Sequence, residues 1–226
     1  MKGIDFTPDM HRAIREGRKH MTRRVVKCPK GHPYQSEWQL HGKPVECAKG
    51  WVWNYGWDGD DNPIDYPLTQ KYKVGDRVFV RETWSKVPTT AYRHSREEDG
   101  SGVPHQVSPC GYYWAVYKDG WDRSAPTWKS GRFMPEWASR TILEVTGVRV
   151  ERVQEISYRD AKREGLSFDD PRQMWLFGAD EKGRKEIYDR CGASAFRDLW
   201  ESIRGPGAWL RNDWVWVYEF KVVQNA

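Results

Sequence analysis

Within "FTPDMHRAIREG" the apolar residues Met10, Ala13 and Ile14 recur at helical spacing. Thr7 supplies an N-cap hydroxyl, Pro8 fits the first helical position, Asp9 suits the first turn, and Gly17 offers a left-handed stop. This predicts a short helix, with Phe6 folding back on its buried stripe. The following "MTRRVV" reads as extended chain. "KVGDRVFVRETW" gives a Gly-Asp turn and then strict alternation, which places Val78, Val80, Glu82 and Trp84 on one face of a strand. "GYYWAVYK" is a hairpin strand by its aromatic and β-branched content. "ASRTILEVTGVRVERV" alternates for longer, but its apolar phase switches at Gly147, from Leu143 and Val145 to Val148 and Val150, which predicts a β-bulge. "ISYRDAKREG" is a second short helix: Ser157 caps it, Asp160 completes a capping-box-like pair, Ile156 can staple to Ala161, and Gly165 ends it. "SAFRDLWESIRGPG" is a third, with Phe196, Leu199, Trp200 and Ile203 on one stripe and Gly205-Pro206 as the stop. "DWVWVYEFKVV" closes the chain as a strand with Trp214, Trp216, Tyr218 and Phe220 on one side.

Two stretches resist this reading, Cys28–Gln70 and Lys86–Glu136. They are rich in Pro, Gly, Asp and Trp and show little periodicity, so they read as ordered insertions. Their tryptophans Trp38, Trp51, Trp53, Trp57, Trp114, Trp121 and Trp128 need burial, which predicts that the two segments pack together as an aromatic cap. Strands broken by short helices, without βαβ regularity, indicate an α+β protein. The bulged strand and the closing strand suggest a small, curved, mostly antiparallel β-barrel with short flanking helices. The expectation is a single domain over 1–226, with insertions at about 28–70 and 86–136.

Composition narrows the partners. A chain of 226 residues can bury a core without disulfides or metals. The net charge of +5, from 37 basic against 32 acidic residues, allows an anionic partner but is not the profile of a basic tail. No apolar run reaches membrane-spanning length and "MKGIDFTPDM" lacks a signal-peptide core, so the expected setting is cytoplasmic, with no membrane contact. Cys28, Cys47, Cys110 and Cys191 are spread without a C-x-x-C pair and read as reduced thiols. Cys28, His32 and Cys47 do not match paired zinc-ligand spacing, so neither metal nor cofactor is expected.

The chemistry concentrates in "EGRKHMTRR". Lys19 and Thr22 stand three apart where the chain leaves the first helix. A threonine hydroxyl attacks only when a base takes its proton, and lysine is that base only when neutral. Burial and neighbouring cations promote neutrality, and Arg18, Arg23 and Arg24 are such neighbours. The same residues also describe a solvated basic turn. Arg23 and Arg24 alternatively suit phosphate oxygens. Glu82, on an inward face, needs a partner or a purpose: an ion pair, an anchor for Arg24, or a contact to a substrate amine. Trp84 on that face either packs in the core or stacks on a base. "HSREEDG" reads as a solvated loop.

Gly17-x-Lys19-x-x-Thr22-x-Arg24 after a short helix, then "VGDRVFVRETW" and the closing "WVWVYEF", resembles the ASCH domain of the PUA-like superfamily. The longer layout, with "MPEWASRTILEVTGVRVERVQEIS" and "FRDLWESI", is similar to its bacteriophage and prophage members. The likeness covers about 1–27, 71–85 and 134–223 and implies a PUA-like barrel. Many ASCH domains carry Glu where this chain has Thr22. Members with Thr include amidohydrolases that remove the acetyl group from N4-acetylcytidine, in which the motif lysine and threonine act with a glutamate on a later short helix. "DAKREGL" matches that helix and places the glutamate at Glu164, and the motif arginine at Arg24. Those enzymes are much shorter, so the insertions here would reshape or cover the pocket.

The resemblance thus implies Thr22 as nucleophile, Lys19 as base and Glu164 as acid, with Arg24 as the motif arginine, and the chemistry of the residues adds Arg23, Glu82 and Trp84 as candidate substrate contacts. Glu164 falls at a helix C-terminus, where the macrodipole disfavours negative charge, as suits a carboxyl that delivers a proton. It is otherwise a surface glutamate paired with Arg159 or Arg163. The implied partner is a modified cytosine nucleoside or RNA, with no obligatory protein partner. An RNA- or modified-base-binding module without turnover, and a ribonuclease using Lys19, Arg24 and a carboxylate, are the competing expectations.

Overall fold

In the computed structural model, which describes residues 1–30, 42–48, 50–57, 60, 62–91, 105–121, 125–169, 174–176 and 192–225, the chain begins β1 (Lys2–Asp5), α1 (Pro8–Arg15), β2 (Met21–Val25), β3 (Lys43–Cys47), β4 (Gly50–Trp57), β5 (Pro63–Pro67), β6 (Arg77–Arg81) and β7 (Trp84–Pro88). It continues β8 (His105–Val107), β9 (Tyr113–Tyr117), β10 (Thr141–Arg152), α2 (Tyr158–Arg163), β11 (Ser167–Asp169), β12 (Met174–Leu176), α3 (Gly192–Arg204) and β13 (Trp214–Asn225). This is an α+β protein, mostly strands with few short helices.

Local signals place the helices. Thr7 caps α1 by accepting from Met10 N, and Gly17 at φ +70° reverses the chain after it. Ser157 caps α2 by accepting from Asp160 N, and Gly165 at φ +99° follows its end. Met10, Ala13 and Ile14 are buried as expected, together with His11, while Ile203 of α3 is exposed rather than part of the buried stripe.

The main sheet has the order β1-β6-β10-β13-β2, and its pairings are antiparallel except for β1 with β6. The β10–β13 register shifts between Val145 and Gly147, where the apolar phase changes in the sequence. Strand β13 is apolar on both faces because both are covered. Trp216, Tyr218 and Phe220 join a core with Ile4, Val78, Val80, Leu143 and Val145. Val215 and Val217 join a second core with Met10, Ala161, Phe196, Leu199 and Trp200 from the three helices.

The two edges of this sheet meet. Arg24, on edge strand β2, donates from Nη2 to the carbonyl of Asp5 on edge strand β1. Five flat strands would hold those edges about 19 Å apart, from a spacing of about 4.8 Å per strand. One side chain does not span that, so the sheet is curled, and its two edges flank the region around Arg24.

The insertions correct the sequence reading. The first contains its own antiparallel sheet, β3-β4-β5, and the second contains most of another, β7-β9-β8. Among the described residues their tryptophans fall into separate clusters. Trp53 and Trp51 pack into the inner core of the main sheet, against Trp214 and Trp216 at 6.3 and 5.5 Å between ring centroids. Trp114 instead clusters with Val87, Val116, Trp121 and Trp128. Trp38, His32, Cys191 and "HSREEDG" lie outside the described residues, as does the Trp57 side chain.

The alternating run through Glu82 and Trp84 is also broken. Strand β6 stops at Arg81, and Trp84 starts β7 in a different sheet, exchanging backbone hydrogen bonds with Lys129. Gly131 crosses so close that a Cβ there would lie 2.9 Å from the Glu82 carbonyl oxygen. Among the described residues, no helix is long and apolar enough to cross a membrane.

Candidate active site

The turn that leaves α1 is clamped onto the turn that leaves α2. Arg18 N and Lys19 N both bond the Ala13 carbonyl, and His20 N bonds the Arg163 carbonyl at 2.8 Å. Arg18 Nη1 donates to the Gly165 carbonyl at 2.8 Å, and Lys19 pairs with Glu164 in an isolated antiparallel bridge. Gly165 is required here: a Cβ would sit 3.1 Å from Ala13 Cβ and 3.2 Å from Lys19 Cβ, on a left-handed backbone.

The clamp drives Lys19 and Glu164 into the interior, at 0% and 1% exposure. Glu164 is therefore not the surface glutamate of the alternative reading. Lys19 Nζ donates to Glu164 Oε2 at 2.6 Å and to the Glu164 carbonyl at 2.8 Å, and lies 5.8 Å from the Phe6 ring centroid. Burial pushes the Lys19 ammonium below its ordinary value; Glu164 opposes this, while Arg24 and Arg23 add to it. Arg18, the third expected neighbour, pairs with Glu16.

Thr22 stands on β2 opposite Tyr218 of β13 and is 3% exposed. It lines a cavity of about 290 Å³ together with Phe6, Arg24, Glu164, Phe196 and Trp200. The wall is thus partly aromatic and partly polar, since Asp5, Thr7, Arg23 and Arg204 belong to it as well. The Lys19 ammonium makes both its hydrogen bonds to Glu164 and none to Thr22.

Alternation along β2 sends Arg23 to the face opposite Thr22 and Arg24. Its three nitrogens are all engaged, with Glu151, with Asp160 at 3.1 Å, with Met21 Sδ at 3.5 Å and with Glu164 Oε1 at 3.0 Å. Burial works against its charge, but Glu164 and Glu151 outweigh it and hold the guanidinium above its ordinary value. Arg23 reaches the cavity wall, yet it orients Glu164 rather than gripping a substrate. That corrects its expected role. Among the described residues Arg24 hydrogen-bonds only the Asp5 carbonyl and lies 5.3 Å from the Phe6 ring, which leaves it able to address a ligand.

The structure does not bring Glu82 and Trp84 to this cavity. Glu82 is buried in a bidentate pair with Arg140, at 2.9 and 2.7 Å, and Trp84 packs with Ala115, Tyr117, Met134 and Ala138. Both are structural, and Glu82 anchors Arg140 instead of Arg24.

Sequence reasoning missed the partners of Arg23 and the aromatic wall. Beyond the bulge, the register places Arg149 beside Val217 and Val217 beside Arg23, so Arg149 and Glu151 share a face with Arg23. Arg149 then bonds Glu151, Asp160 and Glu219, and Arg163 also bonds Glu219. The alternation in "VRVERV" carried that signal once Gly147 was read as the bulge. Phe196 and Trp200 were placed on the correct helical stripe, but the stripe alone does not tell core from cavity wall.

Among the described residues, no three His, Cys, Asp or Glu side chains are grouped to hold a metal ion. What the site contains is a buried Lys19–Glu164 pair whose carboxylate shares a cavity wall with the Thr22 hydroxyl. Compared with known proteins, the chain matches no family model, no curated protein and no solved structure.

Proposed function

We propose that the chain is an ASCH-type, PUA-like barrel that hydrolyses the N4-acyl amide of a cytosine nucleoside or nucleotide. The observation that carries this reading is a buried Lys19–Glu164 pair whose glutamate lines, together with Thr22, a cavity with aromatic walls. The curled sheet supports the barrel. A buried Lys–Glu pair is no better for stability than apolar residues of similar volume, so its presence here calls for another role.

The pair has two proton states. A shift across the 2.6 Å hydrogen bond converts ammonium and carboxylate into amine and carboxylic acid. That one shift yields both a base and an acid in a site that disfavours charge. The Lys19 amine takes the Thr22 proton as Oγ1 attacks the acyl carbon. The tetrahedral oxyanion collapses, the C–N bond breaks, and the Glu164 carboxyl protonates the leaving cytosine amine. Water then attacks the acyl-threonine, giving its proton to the Glu164 carboxylate, and the Thr22 oxygen recovers its proton from Lys19. The products are cytidine and a carboxylic acid, and the pair is restored. Arg24 is the cation placed to stabilise the oxyanion.

The test is incubation with N4-acetylcytidine and chromatography for cytidine. Release of cytidine that is lost in Thr22→Ala supports the reading. An intact substrate, in the presence of protein that binds it, overturns it. Binding without turnover is the second reading, favoured by the absence of a Lys19–Thr22 hydrogen bond. A ribonuclease using Lys19, Arg24 and a carboxylate finds less support, because Lys19 makes both its hydrogen bonds to Glu164 and does not line the cavity.

A further inference from the structure

A second cavity, of about 670 Å³, adjoins the first and shares Asp5, Arg24 and Arg204 with it. Its lining differs in kind. It is strongly cationic, with Arg24, Lys27, Lys71 and Arg204 against the single carboxylate of Asp5. Asp5 is itself paired with Arg81 at 3.1 Å, so the cations are not neutralised from within. The floor is aromatic, formed by Tyr72, Trp216 and Tyr218. Tyr218 itself is 2% exposed, and its phenolic oxygen is turned inward toward the backbone amides of Lys71 and Tyr72.

The first cavity lies at the lower end of the range of small-molecule sites, while the second lies well inside it. Cations set around aromatic rings are the pattern that holds single-stranded nucleic acid, where bases stack and phosphates pair. Arg24 stands at the junction. We infer that the second cavity is a subsite for the phosphate and flanking nucleotide of a single-stranded substrate whose target base occupies the first cavity. This rests on the reading of the first cavity as a base site, and it makes a short oligonucleotide, rather than a free nucleoside, the preferred substrate.

The neighbouring base stacks on the aromatic floor, and the connecting phosphate meets Arg24 and Arg204. The next phosphate meets Lys27 and Lys71 at the exposed rim. Lys71 already lies 5.0 Å from the Tyr72 ring, and burial pushes its ammonium below its ordinary value, with Arg81 and Arg24 adding to the push. An arriving phosphate relieves that repulsion.

The test measures binding, so it does not depend on turnover. Cytidine, cytidine monophosphate and a cytidine trinucleotide are titrated by calorimetry at several salt concentrations. The trinucleotide is expected to bind at least about tenfold more tightly than cytidine, from counterion release and one stacked base. The double variant Lys27→Ala, Lys71→Ala should shrink the trinucleotide-to-cytidine ratio and flatten the salt dependence by about 1.4 in log–log slope, at about 0.7 per phosphate contact. Both side chains are exposed, so the fold survives their loss. A trinucleotide that binds no better than cytidine, a double variant with an unchanged ratio, or a monophosphate that binds as tightly as the trinucleotide would each overturn the flanking-nucleotide subsite. If N4-acetylcytidine is hydrolysed but the ratio is one, this inference falls and the hydrolase stands. If the ratio is high and Lys27- and Lys71-dependent but nothing is hydrolysed, the reverse holds.

Discussion

Glu82 and Glu164 are both buried carboxylates, and their partners separate them. Glu82 faces a guanidinium: Arg140 Nε and Nη2 donate to its two oxygens, and His11 Nδ1 stands 3.4 Å away. Arg140 also reaches Asp119 and lies 4.3 Å from the Tyr117 ring. Such a fork is saturated, and arginine does not surrender its proton, so Glu82 is locked. Glu164 faces an ammonium that burial has made easier to deprotonate. The lesson concerns partner chemistry rather than burial. Glu164 also accepts from Arg23 at 3.0 Å, so what sets it apart from Glu82 is the desolvated lysine on its other oxygen, a partner that can give up a proton where arginine cannot.

The sharpest way to break this comparison is by rate. Thr22→Ala and Lys19→Ala should each remove most turnover on N4-acetylcytidine, roughly 10³-fold or more, and their losses should not add because they act on one step. Glu164→Gln keeps the shape but cannot cycle a proton, so a loss of about 10²–10⁴-fold is expected. Glu82→Gln should leave turnover of the folded enzyme within a few-fold of the parent. If Glu82→Gln were as damaging as Glu164→Gln, with folding intact, the distinction would collapse.

The next largest effect is on stability. Glu82→Gln strands Arg140 in the interior and should cost about 3–5 kcal/mol in urea unfolding. Replacing both members, Glu82→Leu with Arg140→Met, should recover much of that loss, since an apolar pair of similar volume carries no desolvation penalty. A double variant no better than the single would show that the wider network, through Asp119 and His11, is the real unit.

These residues also show what the sequence could reveal. Lys19, Thr22 and Arg24 were legible as a motif, and both helix ends were legible because caps and left-handed glycines are local signals. The bulge at Gly147 was legible for the same reason. Strands β3, β4 and β5 were not, because Pro44, Gly50, Gly56, Pro63 and Pro67 interrupt the alternation that would have marked them. The error at Glu82 and Trp84 came from a period-two pattern that continues across a change of sheet, decided by pairing with distant Lys129. The diversion of Arg23 onto Glu151 and Asp160 depends on the register of three strands, which no local pattern fixes.

A smaller contrast lies between two glycines of similar backbone. Gly17 has open space around its missing Cβ, so Gly17→Ala should cost about 1–2 kcal/mol of left-handed strain and little activity. Gly165→Ala meets Ala13 and Lys19 at 3.1–3.2 Å and should cost more, about 2–3 kcal/mol. It should also lower turnover, because the Lys19 side chain must give way. Equal activity in the two variants would mean that the position of Lys19 is not critical.

The smallest expected effect is a pair of slopes in stability against pH, one for each carboxylate system. Burial pushes Glu82 upward, but hydrogen bonds from His11 and Arg140 prevail and hold it below its ordinary 4.5. Its contribution is therefore complete above 4.5 and is lost as pH falls through the folded value, when the native protein must also take up the proton. Lys19 runs the other way. Its folded value lies below the ordinary 10.5, so between the two the unfolded chain binds more protons than the native one, and stability rises with pH. Below that window the native state bears the whole cost of a buried ammonium. Tyr72 and Tyr218, pushed by burial to about 12, give an opposite slope above 10. The Lys19 component must therefore be taken as the difference between the parent and Lys19→Met, measured as urea midpoints across the alkaline range. That difference should slope in the parent's favour as pH approaches 10.5, while Glu82→Gln should flatten only the acid limb. A Lys19→Met difference that is level with pH would mean the ammonium stays charged in the native protein, and the proton exchange assigned to the Lys19–Glu164 pair would lose its basis.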